Sequence, residues 1–153
     1  MSHPPRVVIG VARAGEFPAV RDLLRQAQLP PDGLEAHLET LLVARAGDEV
    51  IGCAALELYG EDALLRSVAV DASLRGQGLG VDLTERALDL ARRCGVRSIY
   101  LLTDTAVGFF PRFGFHSVSR SAVAAGVKQS VEFTSVCPET AEVMVLELAE
   151  ESE

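Results

Sequence analysis

The sequence predicts a mixed α/β (α+β) fold, in which a mostly antiparallel sheet is flanked by helices within a single domain, residues 1–153. Three observations predict it. Strand-like apolar segments recur along the chain, two longer stretches carry helical periodicity, and hairpin-type connections come before one β-α-β crossover. At 153 residues the chain is the size of one domain, and such a domain buries well over half of its unfolded surface.

The first half of the chain predicts strands around one helix. Residues 6–12 are strand-like, and residues 17–28 carry an apolar helical stripe, which consists of Phe17, Val20, Leu23, Leu24 and Ala27. Pro-Pro-Asp-Gly ends this helix, and 34–39 predicts a short one. Turns at Gly47-Asp48 and Gly60-Glu61 separate three further strand-like segments, which are 40–47, 49–60 and 62–70.

The second half predicts the crossover. A helix follows the glycines of 76–80, with a stripe that consists of Leu83, Ala87, Leu90 and Cys94, and with Gly95 as its cap. Residues 98–103 predict a buried strand, 106–113 a short helix and 141–148 a closing strand.

Composition excludes several classes of protein. Apolar residues make up 48% and charged residues 24%, which is typical of a globular domain rather than a disordered one. A net charge of −8 argues against a nucleic-acid partner. The chain has no apolar run of about 18 residues and no secretory signal in "MSHPPRVV", so we expect no membrane partner.

Cysteine and histidine usage indicates a reduced compartment without a metal site. Cys53, Cys94 and Cys137 are odd in number and far apart, which fits reduced thiols in the cytoplasm better than disulfides. The three histidines lack metal-ligand spacing. We therefore expect a cytoplasmic protein that holds no metal.

The stretch "VAVDASLRGQGLG", residues 68–80, is the strongest candidate binding element. Its glycines are spaced two apart, so it does not match the dinucleotide fingerprint, and it is not a P-loop because no Gly-Lys-Ser/Thr follows. A glycine-rich turn between a strand and a helix is common. Glycines nevertheless let backbone N–H groups approach an anion, and the following helix adds its positive dipole end. A plain turn and a phosphate cradle both remain open from these residues alone.

This stretch resembles the acyl-CoA signature of the GNAT superfamily of N-acetyltransferases, through Arg75, Gly78 and Gly80. The later segment "YLLTDTAVGFFPRFGFHSV" is similar to the second motif of that family, with Phe110, Gly114 and Phe115. The likeness covers nearly the whole chain in order and spacing. It implies a GNAT-like fold, acetyl-CoA as co-substrate, and direct attack by the primary amine of a small molecule on the thioester.

The resemblance also implies cofactor-binding residues. The backbone of Val68, Ala69 and Val70 would hold the pantetheine arm, and an N–H near Val70 would face the developing oxyanion. The pyrophosphate would meet the amides of a continuous run, which consists of Arg75, Gly76, Gln77, Gly78, Leu79 and Gly80.

Thr103 and Phe110 complete the predicted cofactor site. Many relatives have a tyrosine that protonates the thiolate where this chain has Phe110. Either the thiolate leaves unassisted here, or water, Thr103, Thr105 or Tyr59 replaces that tyrosine.

The candidate catalytic base is Glu57, a carboxylate near the end of an apolar run. The alternative is a simple ion pair between Glu57 and Arg66. Arg66 and Ser67 are candidate substrate-binding residues, because a guanidinium matches a pair of acidic oxygens. Tyr59 either lines the same pocket or packs at a strand end.

A narrower similarity concerns the acceptor. Residues 56–70 and "EFTSVCP", residues 132–138, resemble the arsenic-resistance-associated branch of the family. This implies an amino-acid antibiotic of the arsinothricin or phosphinothricin type as acceptor. The alternatives are a non-catalytic acyl-CoA-binding module and a protein or peptide N-acetyltransferase. A homodimer is expected from the resemblance alone.

Overall fold

The computed structural model describes residues 6–104, 106–130 and 141–148. The strands are β1 (Val7–Val11), β2 (Leu41–Ala46), β3 (Glu49–Tyr59), β4 (Asp62–Val70), β5 (Ser98–Thr103), β6 (His116–Ser117) and β7 (Glu142–Glu147). The helices are α1 (Phe17–Gln26) and α2 (Leu79–Arg93). Short 3-10 helices span Ala14–Glu16, Leu34–Thr40, Ala72–Leu74, Phe110–Phe113, Arg120–Ala122 and Val127–Gln129.

In this part of the chain the strands form one seven-stranded sheet in the order β1-β2-β3-β4-β5-β7-β6. The β1–β2, β2–β3, β5–β7 and β6–β7 pairs are antiparallel, and β4 is parallel to β5. The predicted fold class, a mostly antiparallel mixed sheet with helices, is therefore confirmed. The turns at Gly47 and Gly60 are confirmed as well, and both glycines have the positive φ that such turns favour.

The residues cluster into two compact units. One comprises Met1–Ala55 and Ser67–Ala87, and the other comprises Leu56–Arg66 and Leu88–Glu153. In the first unit α1 buries its predicted stripe, at Phe17, Val20, Leu23 and Leu24, against apolar residues of β2 and β3 that include Val43 and Cys53. The helix ends two residues before the predicted boundary, because Gln28 already has a φ of 59°.

The second unit has its own apolar cluster. Leu64, Val123, Val127 and Val143 are buried there, with Tyr59 and Tyr100 packed against them. The sequence pattern predicts no helix or strand in the segment 118–130, which supplies two of these valines. This segment consists of short 3-10 turns, whose apolar residues follow no helical or strand period.

The buried face of α2 differs from the predicted stripe. Leu83 and Ala87 are buried as expected, but Leu90 is half-buried and Cys94 is exposed. The face continues instead through Thr84, Leu88 and Ala91. At 100° per residue the buried positions lie on one side of the helix and Leu90 lies at the edge of that side. Cys94 is exposed because it follows the last helical residue, Arg93.

The central strands β3 and β4 contain long buried stretches, and β4 pairs with β5 only near its start. The pairing of β4 with β5 joins Asp62, Ala63 and Leu64 to Ser98, Ile99 and Tyr100, although the strands continue to Val70 and Thr103. The residues of β3 from Ile51 to Glu57 and those of β4 from Ala63 to Ser67 are all buried. The chain therefore covers both faces of the sheet along these stretches.

Gly52 provides a test of the packing in the first unit. A Cβ at this position would lie 2.8 Å from Leu83 Cδ1 and 3.2 Å from the Ala69 carbonyl oxygen. We expect Gly52→Ala to lower the free energy of unfolding by about 1–3 kcal/mol through overpacking, as measured by urea denaturation. Gly15→Ala is the matched control, since its Cβ would meet nothing within 4 Å. Equal stabilities of the two variants would contradict this packing.

Candidate active site

The glycine-rich segment forms an exposed loop ahead of α2. After β4, the Asp71 carboxylate accepts hydrogen bonds from Ser73 N, at 2.9 Å, and from Ser73 Oγ, at 2.7 Å, which closes a tight turn. These hydrogen bonds lower the pKa of Asp71 below its usual value. Gly76 and Gly78 follow with φ of 84° and 87°, the left-handed region that glycine adopts without steric cost.

Helix α2 begins within this stretch. It starts at Leu79, and the Asp82 N–H donates to the Gly78 carbonyl oxygen at 3.0 Å. The first N–H groups of any helix lack intrahelical acceptors, and the helix dipole places partial positive charge there. Arg75 adds a cation next to the loop, with its Nε 3.4 Å from the Val70 carbonyl oxygen. These groups can hold an anion such as a diphosphate.

Ser67 interrupts the extended backbone of β4. Its φ is 60° although it is not glycine, and a left-handed residue of this kind costs about 1–3 kcal/mol. The Cys53 thiol of β3 donates to the Ser67 carbonyl oxygen over 3.1 Å. The Ala69 N–H is a hydrogen-bond donor to the same sulfur, and burial raises the pKa of Cys53 to about 12. Cys53 is therefore a neutral, buried thiol.

These contacts orient the end of β4. Because the peptide unit is planar and trans, its C=O and N–H point in opposite directions. The Ser67 carbonyl and the Ala69 N–H face Cys53, so the N–H and C=O of Val68 point away from β3. The Asp71 N–H donates to the Ile51 carbonyl oxygen at 2.8 Å, so the Val70 carbonyl also points away from β3.

Glu57, Tyr59 and Arg66 meet in the second compact unit. Glu57 Oε2 accepts a hydrogen bond from Arg66 Nη1 at 2.9 Å, and their side chains are 1% and 0% exposed. The Tyr59 hydroxyl donates to Glu57 Oε1. The turn at Gly60 brings these strand residues together, so the ion pair that the sequence analysis left as an alternative is present. Both of its charges are shielded from solvent.

The pKa of the Tyr59 phenol is strongly raised. Burial and the hydrogen bond to the Glu57 carboxylate raise its pKa to about 12, while a hydrogen bond from Ser130 acts in the opposite direction. Ser130 is itself buried. The sequence does not indicate this contact, because Ser130 lies in the aperiodic segment 118–130 and no local pattern connects it to Tyr59.

Phe110 and Thr103 also lie in the second unit. Phe110 is buried, with its ring centroid 5.1 Å from that of Phe109 and 5.8 Å from that of Phe115. Thr103 Oγ1 accepts a hydrogen bond from the Ala106 N–H at 2.9 Å. Thr105 and Cys137 lie outside the described residues. Among the residues described, His, Cys, Asp and Glu form no group that could hold a metal ion.

Comparison with known proteins identifies the class to which this fold and loop belong. The profile of the acetyltransferase (GNAT) family matches residues 11–115, a stretch that contains the whole glycine-rich loop and the Glu57 cluster. The chain belongs to this family, and it is an N-acetyltransferase that uses acetyl-CoA.

Two curated proteins are similar in sequence to this chain. An amino-acid acetyltransferase from Mycobacterium tuberculosis is 32% identical over 133 residues, which are 80% of this chain and 75% of that protein. An uncharacterized N-acetyltransferase from Chlorobaculum tepidum is 34% identical over 85 residues, 55% of this chain and 54% of its own. The chain thus spans between about half and three quarters of these relatives.

Solved structures are similar over most of the chain. A Mycobacterium tuberculosis protein in complex with CoA and a second ligand has a TM-score of 0.77 at 26% identity, covering 93% of this chain and 99% of that one. The N-acetylglutamate synthase from Neisseria gonorrhoeae, complexed with coenzyme A and N-acetyl-glutamate, has a TM-score of 0.82 at 20% identity, covering 97% and 37%. The second likeness supports the fold alone.

No helix in the described residues is long and apolar enough to cross a membrane.

The raised pKa of Tyr59 predicts alkaline behaviour. The protein has two tyrosines and no tryptophan, so tyrosinate absorbance reports on few groups. We expect the difference in tyrosinate absorbance between wild type and Tyr59→Phe to titrate near pH 12 rather than near the usual value of about 10. The native state holds this proton more tightly than the unfolded state, so its contribution to stability is present below about pH 10 and is lost towards pH 12. A difference that titrates near pH 10 would contradict the buried hydrogen bond.

Proposed function

We propose that the protein transfers the acetyl group of acetyl-CoA to the α-amino group of a small amino acid or amino-acid-like compound. The observation that carries this proposal is the similarity to an amino-acid acetyltransferase over 80% of the chain. The buried acid–base cluster of Glu57, Arg66 and Tyr59 supports it, because an amine must lose a proton before it attacks a thioester.

The cofactor is held by β4 and the glycine-rich loop in this proposal. The N–H and C=O of Val68 point away from β3, and pantetheine binds them as an added strand would. Ala69 separates this contact from Val70. The Val70 N–H faces the developing oxyanion. The diphosphate lies against the amides from Arg75 to Gly80, where the two left-handed glycines and the start of α2 converge.

Glu57 is the base, acting directly or through a water molecule. It accepts the proton that the acceptor ammonium releases, and the neutral amine then attacks the thioester carbonyl. Arg66 holds the carboxylate in place through the 2.9 Å ion pair, and Tyr59 fixes the other carboxylate oxygen. Arg66 and Ser67 contribute to acceptor binding together with Tyr59, which is the most exposed member of this set.

The thiolate leaves as the C–S bond of the tetrahedral intermediate breaks, and it takes a proton from solvent. The nitrogen of the intermediate releases one proton to solvent as it becomes the amide, so the protons balance. Phe110 has no proton to donate and is buried among aromatic rings. Tyr59, with a pKa near 12, is a weak acid, and the Thr103 hydroxyl caps the Ala106 amide. A thiolate whose conjugate acid has a pKa of about 8.5 is stable enough to leave without a strong acid.

Within the acceptor class, phosphinothricin-like and arsinothricin-like amino acids are the second candidate. The resemblance of residues 56–70 to the arsenic-resistance-associated branch favours them. We further expect a cytoplasmic enzyme that forms a homodimer, with the oligomeric state measurable by light scattering.

The proposed function is tested by an acceptor screen. Release of free CoA thiol is followed with amino acids, phosphinothricin, polyamines, aminoglycosides and peptides, and each product is identified by mass spectrometry. We expect turnover with one or more amino acids and an acetyl group on the α-nitrogen. Turnover with peptides alone would contradict the proposal, as would the absence of saturable acetyl-CoA binding in calorimetry.

The loop assignment predicts the effect of one glycine substitution. Gly78→Ala places a side chain at a φ of 87°, which costs about 1–2 kcal/mol. We expect acetyl-CoA affinity, measured by calorimetry, to fall about tenfold. Gly47→Ala is the matched control, because it has the same kind of strain, with a φ of 64° and open space for a Cβ, in the β2–β3 turn. Equal acetyl-CoA affinities of the Gly78→Ala and Gly47→Ala variants would mean that the diphosphate does not bind at this loop.

The base assignment predicts the effect of removing one carboxylate. Glu57→Gln keeps the shape of the side chain but cannot accept the amine proton, so we expect kcat to fall by about 10²–10⁴-fold. Glu16→Gln is the matched control, because Glu16 forms another ion pair, with Arg45 Nη2 2.6 Å from its Oε1. Glu57→Asp retains the charge if the amide variant is unstable. Wild-type kcat in the folded Glu57→Gln variant would exclude Glu57 as the base.

A further inference from the structure

Cys53 holds a position that the proposed chemistry has not used. Its side chain is fully buried in the core cluster of the first unit. The thiol bonds to backbone groups of β4 on both sides of Val68: it donates to the Ser67 carbonyl oxygen over 3.1 Å and accepts from the Ala69 N–H. A residue that only filled space would make neither polar contact.

These contacts occur where β4 is strained. Ser67 has a φ of 60° in the middle of a strand, and such a residue persists only where its surroundings fix it. Ser67 is a buried residue, and hydrogen bonds to backbone carbonyls stabilise buried segments. Cys53 supplies a donor at the kink itself.

We propose that Cys53 is a positioning residue, which fixes the Ser67 kink and thereby aims the backbone N–H and C=O of Val68 at the acyl-CoA. The inference rests on the proposed function, in which Val68 contacts pantetheine. Its physical basis is the planar peptide unit: a Ser67 carbonyl held towards Cys53 directs the Val68 N–H the opposite way. The thiol acts through the backbone and takes no part in the chemistry.

Substitutions at position 53 separate positioning from packing. Cys53→Ser retains a hydroxyl donor of similar size, whereas Cys53→Val fills the space with no donor. A packing role predicts that valine is better tolerated than serine in this apolar core. A positioning role predicts the reverse order for turnover, because only serine can hold the Ser67 carbonyl.

The expected result is a kcat for Cys53→Ser within about threefold of wild type and a loss of at least about tenfold for Cys53→Val, since small misplacements of reacting groups lower rates steeply. Val43→Ala is the matched control. Val43 pairs with Cys53 across β2 and β3 and belongs to the same cluster, so it lowers stability and leaves kcat unchanged. Cys53→Ala is measured if Cys53→Val does not fold.

A second readout is independent of turnover. The NMR backbone shifts of Ser67, which report its positive φ, and the amide shift of Val68 remain near wild type in Cys53→Ser and move in Cys53→Val. Wild-type kcat and unchanged Ser67 shifts in Cys53→Val would overturn the inference, as would serine and valine variants that are impaired equally. Failure of the proposed function appears differently, as a wild-type protein that neither binds acetyl-CoA nor releases thiol.

Discussion

The parallel pairing of β4 with β5 joins only three residue pairs, ending at Leu64 and Tyr100, and the architecture of the site follows from this early end. A buried strand must satisfy each backbone polar group, yet β4 continues to Val70. On the side that faces β3, its groups bond to Cys53 and Ile51. On its other side, the N–H and C=O of Val68 and the N–H of Val70 point away from β3, and the Val70 carbonyl oxygen accepts from Arg75 Nε. A ligand that forms strand-like hydrogen bonds fits this edge, which is where the proposed function puts the pantetheine arm.

A buried ion pair on the β3–β4 hairpin provides the second constraint. Glu57 and Arg66 are fully covered by protein, where two charges are stable only in good geometry with further hydrogen bonds. Tyr59 supplies one such bond to Glu57. The cluster is therefore expensive to rearrange, and it holds the Glu57 carboxylate in a fixed place. The ion pair and the Tyr59 hydrogen bond hold this cluster in place. Hydrogen bonds to main-chain groups hold the end of β4.

The sequence predicted the fold class, both long helices and the main strands, because these depend on apolar periods that a single chain displays. It predicted the Glu57–Arg66 pair as an alternative, because a two-residue turn fixes which residues are neighbours across a hairpin. It missed Ser130, and it treated Cys53 as an ordinary reduced thiol. The contacts of Ser130 are long-range, and the kink at Ser67 has no signal, since serine is not a residue that usually adopts positive φ. The predicted stripe of α2 was wrong at its end, because Leu90 lies at the edge of the buried side and Cys94 follows the last helical residue.

The close approach of Gly126 to Tyr59 has an evolutionary consequence. A Cβ at residue 126 would lie 3.0 Å from Tyr59 Cβ, so a larger side chain there requires Tyr59, which donates to Glu57, to shift by a few tenths of an ångström. Selection can therefore adjust the position of Tyr59 from a turn that is not itself among the proposed reacting groups.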